Sequence, residues 1–204
     1  VILDATFIKH KKANDNTPTI IIFQPNNSIY KNQKFNWILK DFIKHDKICN
    51  LLYFDYRGCG ESSGHPKNSK QLFIDGASAY QFVKDQIKTP INKIYFYGFS
   101  LGGAVSAHVK HIYNNDGKYI NERSFSCTDQ IIDVHISAWL TKLTKIGAKR
   151  IGWIFNPDKI WKNLQGEKLL IYHPEDPLMQ RANLYNSISK KLDTSTTVLK
   201  LNIV

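Results

Sequence analysis

No stretch of the 204-residue chain approaches the roughly 18 consecutive apolar residues that a membrane-spanning helix needs, which excludes a helical transmembrane protein. Cysteine is scarce. Cys49, Cys59 and Cys127 share no metal-ligand spacing, and an odd number cannot pair fully, so reduced thiols are expected. No cluster of His, Cys and carboxylate has ligand spacing, so neither a metal nor another cofactor is expected. Repeats, low-complexity tracts and Gly- or Ser-rich linkers are missing, which leaves a single domain, residues 1–204, incomplete at both ends. Val1 opens the chain inside a strand pattern, with neither Met nor a charged-then-apolar leader. A piece of a longer product is therefore expected, either cytoplasmic or a secreted effector without a visible signal peptide.

What is present is ordinary for a globular protein: 42% hydrophobic and 22% charged residues. Acidic residues are the minority, 17 against 28 Lys and Arg, for a formal charge of +11. Such an excess favours anionic surfaces. No nucleic-acid motif accompanies it, so nucleic acid is not an expected partner.

Apolar runs bounded by turn residues alternate with helical patterns. Strands are expected at Val1–Lys9, Thr19–Phe23, Cys49–Asp55, Ile91–Phe99, Lys168–His173 and Thr196–Val204. Helices are expected near Lys34–His45, Gln71–Lys88, Ser100–Tyr113 and Met179–Lys191. This alternation implies an α/β fold, a mostly parallel sheet with helices on both faces. It lapses at about 128–165, which reads as an inserted helical cap or lid.

The sharpest motif is Gly98-Phe99-Ser100-Leu101-Gly102, followed by Gly103. Three fixed positions of this kind recur by chance in about one chain of this length in fifteen, so context decides. The motif directly follows a buried strand and directly precedes a helix. A serine on so sharp a turn needs glycines around it, and the turn aims its hydroxyl off the sheet at the helix N-terminus. The Leu101 amide becomes a natural oxyanion donor. The plain alternative is a Gly-rich turn with an exposed serine. A second motif, Asp55-Tyr56-Arg57-Gly58-Cys59-Gly60-Glu61-Ser62, closes the preceding strand and, alone, reads as a structural turn.

Taken in order, TIIIFQPNN, YFDYRGCGESSG, YGFSLGG and LLIYHPEDP resemble the α/β-hydrolase superfamily of serine hydrolases over nearly the whole chain. The Gln-Pro-Asn-Asn turn and the Glu-Arg-Ser-Phe-Ser segment are similar, more weakly, to hydrolase-like proteins of intracellular bacterial pathogens. The resemblance implies eight strands and an acyl ester, thioester or lipid substrate cleaved through an acyl-enzyme. It makes Ser100 the nucleophile and Asp176 the acid, with Glu175 the neighbouring alternative. A second oxyanion amide is implied after TIIIF. Pro25 has no N–H, so Asn26 or Asn27 must supply it.

The base is missing. This fold carries its histidine after the acid, and none of His10, His45, His65, His108, His111, His135 and His173 follows Asp176. Either the histidine lies beyond Val204, or the protein is a hydrolase-like binding or scaffold protein that has lost its base. The insertion holds Trp139, Trp153 and Trp161, with Lys142, Lys145, Lys149, Arg150, Lys159 and Lys162 against Asp158 alone in residues 136–165. Ile136, Trp139, Leu140, Leu143 and Ile146 have helical spacing, a basic amphipathic pattern. It fits a cap packing its tryptophan on the core under a solvated lysine face, or an anionic membrane surface as partner. No oligomeric state is assigned.

Overall fold

Five residues with almost nothing polar to offer water, TIIIF, form strand β2 (Thr19–Phe23), and all five are buried. Strand β3 (Asn50–Phe54) is buried along its whole length in the same way. Both read as central strands of a sheet covered on two faces. The computed structural model describes residues 1–26, 28–31 and 47–201. The helix expected at Lys34–His45, the oxyanion candidate Asn27 and the last residues of the final strand lie outside these.

The other strands are β1 (Ala5–Ile8), β4 (Ile94–Phe99), β5 (Tyr119–Glu122), β6 (Lys168–Tyr172) and β7 (Thr196–Lys200). Their order across the sheet is β1-β3-β2-β4-β5-β6-β7, with β1 antiparallel to β3 and every other pair parallel. The chain leaves β2 for β3 on one side and reaches β4 on the other. The carboxyl ends of β2 and β4 therefore flank the point where winding reverses, where ligands of open α/β sheets bind.

Helices α1 (Ser69–Gln81) and α2 (Leu101–Ile112) pack on one face of the sheet. Phe23 meets Phe54 edge-on at 5.4 Å and stacks with Phe96 at 5.8 Å, and Tyr80 of α1 stacks on Phe96. Each fully buried side chain of this size contributes about 1.5–3 kcal/mol. Asn68 caps α1 by accepting from the Gln71 amide. Past Gln81 the helix widens, and the Ile87 amide reaches five residues back to the Phe82 carbonyl.

Between β5 and β6 lie α3 (Thr128–His135), α4 (Ala138–Ile151) and the short α5 (Pro157–Ile160). Gly152, at φ 78°, ends α4 in the left-handed conformation.

Three expectations change. The described residues contain seven strands where the resemblance implied eight. Strand β5, absent from the sequence reading, is one of them. The helix expected at Met179–Lys191 breaks into a single turn at Gln180–Ala182, helix α6 (Leu184–Ile188) and another turn at Ser189–Lys191. Asn183 interrupts it, its side-chain Oδ1 accepting from the Tyr185 amide and its side-chain Nδ2 donating to the His173 carbonyl.

Candidate active site

Ser100 stands between β4 and α2 with φ 54° and ψ −116°, a conformation that costs a non-glycine residue about 1–3 kcal/mol. The surroundings hold it there. Its amide donates to the Glu122 carbonyl at the end of β5, and its carbonyl accepts from the Gly103 amide. Glycine is obligatory at two flanking positions for lack of room. A Cβ on Gly98 would run into Ser106 Oγ and the backbone of Gly102 and Gly103. One on Gly102 would collide with the Phe23 carbonyl at the end of β2. Gly103 lies against Asn121 and Ser124. Leu101 opens α2, and the first amides of a helix have no acceptor within it.

Ser100 lines a cavity of about 560 Å³ together with Asn26, Leu101 and Asp176, so four expected site residues meet in one place, with Pro25 beside them. The remaining wall is largely apolar: Phe99, Phe125, Trp153, Phe155, Leu178 and Met179, joined by Ile131 and His135 of α3.

Asp176 sits in the turn after β6, 2% exposed. Its Oδ1 accepts from the Leu178 amide at 2.9 Å and the Met179 amide at 3.1 Å. Its Oδ2 accepts from Arg123 Nε at 2.8 Å. A carboxylate has about four acceptor directions, so one is left, on Oδ2. Burial alone would push this carboxyl up; the Arg123 guanidinium and the two amides more than offset that and hold it below its ordinary range. Glu175, the alternative acid, is exposed and is not among the cavity-lining residues.

Arg123 is the site residue the sequence reading missed. It follows β5 at φ 48°, its amide bonded to the Ile171 carbonyl of β6, and its guanidinium lies 5.8 Å from the Phe99 ring. Only the pairing of β5 with β6 brings it to Asp176. His135, counted in the sequence only as a histidine that precedes Asp176, also lines the cavity. Its Nε2 lies 2.7 Å from the Leu178 carbonyl, an acceptor only, so Nε2 carries the proton. No histidine side chain among the described residues bonds to the Asp176 carboxylate, whose partners are Arg123 and the Leu178 and Met179 amides. His173 is buried, its Nδ1 accepting from the Glu175 amide. His108 stacks on Phe73 at 3.7 Å.

The Asp55–Ser62 motif is a structural knot. Asp75 of α1 accepts from the Arg57 amide at 3.0 Å and from the Arg57 guanidinium at 2.6 Å and 2.9 Å, all buried. Asp55 Oδ1 accepts from the Tyr30 amide at 2.7 Å, and Ser62 Oγ donates to the Asp55 carbonyl. Buried and beside Asp4, the Asp55 carboxyl is pushed up to about 6, mainly by burial.

A strained serine between a parallel strand and a helix, sharing a cavity with an acid placed two strands further along the sheet, defines the α/β-hydrolase fold. The chain belongs to the family described as Chlamydia CHLPS protein (DUF818), whose model matches residues 1–199. It is similar in fold to the acetyl xylan esterase of Paenibacillus sp. R4, with TM-score 0.73 and 14% identity over 98% of this chain and 73% of that one. An α/β serine hydrolase homologue from Coxiella burnetii gives 0.67 and 15% over 98% and 81%. The α/β hydrolase domain-containing protein aho-3 of Caenorhabditis elegans is 39% identical over 54 residues, 26% of this chain and 16% of the nematode protein. These matched segments span between 16% and 28% of the curated relatives' own length.

Proposed function

We propose that the protein is a serine hydrolase that cleaves an acyl ester, thioester or lipid through an acyl-enzyme on Ser100. The carrying observation is the strained Ser100 at the head of α2, in one cavity with Asp176. In this reading Ser100 Oγ attacks the substrate carbonyl while a base takes its proton. The amides of Leu101 and Asn26 hold the oxyanion. Collapse of the tetrahedral intermediate expels the alcohol or thiol, which takes the proton from the base. Water then attacks the acyl-enzyme by the same route and frees the acid. Asp176 orients the base through its remaining Oδ2 acceptor. The base in this reading is a histidine supplied from outside the described residues.

Residues 128–165 serve in this reading as the cap. Ile131, His135, Trp153 and Phe155 from that segment wall the cavity and would set the shape of the acyl group accepted. The esterases of similar fold favour ester over amide chemistry.

A second reading, a hydrolase-like binding protein without catalysis, is favoured by one observation: the Asp176 carboxylate is engaged by Arg123, with no histidine on it among the described residues. Labelling of the intact protein with a fluorophosphonate probe, beside Ser100→Ala, separates the two. Labelling that vanishes in the variant supports an activated serine; a folded protein that never labels sinks the hydrolase reading.

A further inference from the structure

Helix α4 is amphipathic in the wrong sense for a helix that merely packs on a protein. Leu140, Thr141, Thr144 and Ala148 form its half-buried side. Trp139, Leu143 and Ile146, large apolar residues, face away from the body and are 81%, 67% and 43% exposed. Their spacing of four and three residues places them in one stripe, and the exposed Ile151 and Ile154 carry apolar surface past the helix end. The expected packing of Trp139 on the core is therefore not what the chain does. Trp161 is buried instead, and Trp153 lines the cavity.

The charges around this stripe have one sign. No Asp or Glu occurs between Asp133 and Asp158, while Lys142, Lys145, Lys149 and Arg150 all lie on α4. Lys145 bonds Asp133 at 2.6 Å and Lys149 bonds Asp129 at 3.0 Å, which ties α4 down onto α3. Lys142 and Arg150 stand exposed beside Trp139, Leu143 and Ile146. The helix thus rests on the body through ion pairs, Leu140 and small side chains, with Trp139, Leu143, Ile146 and the cations Lys142 and Arg150 presented outward together.

We infer that the outward face of α4 docks on an anionic phospholipid surface. Trp139, Leu143 and Ile146 enter the acyl boundary while Lys142 and Arg150 reach the headgroup phosphates from the flanks. A second copy fits poorly, because a symmetric contact would set Lys142 and Arg150 against the same cations with no acid to pair them. A nucleic acid would take the charges and leave the apolar stripe in water. The inference does not depend on Ser100 being active.

The test is co-sedimentation of the intact protein with phosphatidylcholine vesicles, with and without phosphatidylserine, while Trp emission is recorded. Binding is expected only with phosphatidylserine, weakening as salt rises, with a blue shift that Trp139→Phe removes. Trp139→Ser/Leu143→Ser and, separately, Lys142→Glu/Arg150→Glu should each weaken binding about tenfold or more. Ile112→Ser, an exposed apolar residue on α2, should leave it unchanged. All the changed side chains are solvent-exposed, and matching thermal melts verify the fold. Failure to sediment with phosphatidylserine vesicles overturns the inference, as does undiminished binding by both double variants. A dimer that Trp139→Ser/Leu143→Ser dissociates, with no vesicle binding, would assign the face to a second copy instead.

Discussion

Arg123 and Asp176, 53 residues apart in sequence, form one ion pair in the wall of the cavity, Nε to Oδ2 at 2.8 Å. The carboxylate side chain is 1% exposed and the arginine 34%, so solvent screens only one partner. Two amides remain on Asp176 when the arginine goes, and the loss should stay below that of a fully buried pair. Arg123→Ala is expected to cost about 1–2 kcal/mol at pH 7. Because the Asp176 carboxyl is held below its ordinary 3.8, the stability it contributes is present above that pH and lost as pH falls through the lower folded value. Thermal melts of the two proteins should differ at pH 7 and converge well below pH 4.

Asp55 has the opposite sign. Its folded value of about 6 lies above 3.8, so its contribution is complete below 3.8 and lost as pH rises through 6. Asp55→Asn keeps an oxygen to accept from the Tyr30 amide and removes the buried charge. The variant should melt higher than the parent at pH 8, and the gap should narrow steadily toward pH 5.

Ser100→Gly should stabilise the protein while ending any reaction with a fluorophosphonate. Glycine adopts φ 54° without strain, and the relief exceeds the added freedom of the unfolded chain by about 1 kcal/mol. A urea midpoint that fell instead would show that Ser100 is not held against a steric penalty.

Gly98→Ala should do the reverse. The added methyl meets Ser106 Oγ and the backbone of Gly102 and Gly103, none of which can yield without moving α2. A loss of about 1–3 kcal/mol is expected, read as a lower urea midpoint at unchanged slope.

The sequence made the serine turn legible because its constraints are local. A buried strand, three glycines and a helix start all lie within Ile94–Ile112. Asp176 was legible for a similar reason, at the end of an apolar strand in an Asp-Pro turn. Strand β5 was not, because YINE has no apolar run; buried Asn121 and the half-buried Glu122 earn their places from β4 and β6 on either side. Arg123 was hidden with it, since its partner is fixed by strand adjacency and not by spacing. The outward turn of Trp139 was equally unreadable. Periodicity defines an apolar stripe on α4, but only the ion pairs to α3 decide which side of the helix meets the body.

The contact between Gly102 and the Phe23 carbonyl is main chain against main chain. It works as a calliper with bare jaws: the gap from the serine to the Gln24–Asn26 turn is gauged by peptide units, with no side-chain padding between them. Core substitutions that weaken the fold should leave that gauge as it is. The turn after β2 can then change its residues freely while keeping its stand-off, which suits a chain that carries Gln24-Pro25-Asn26 at this point.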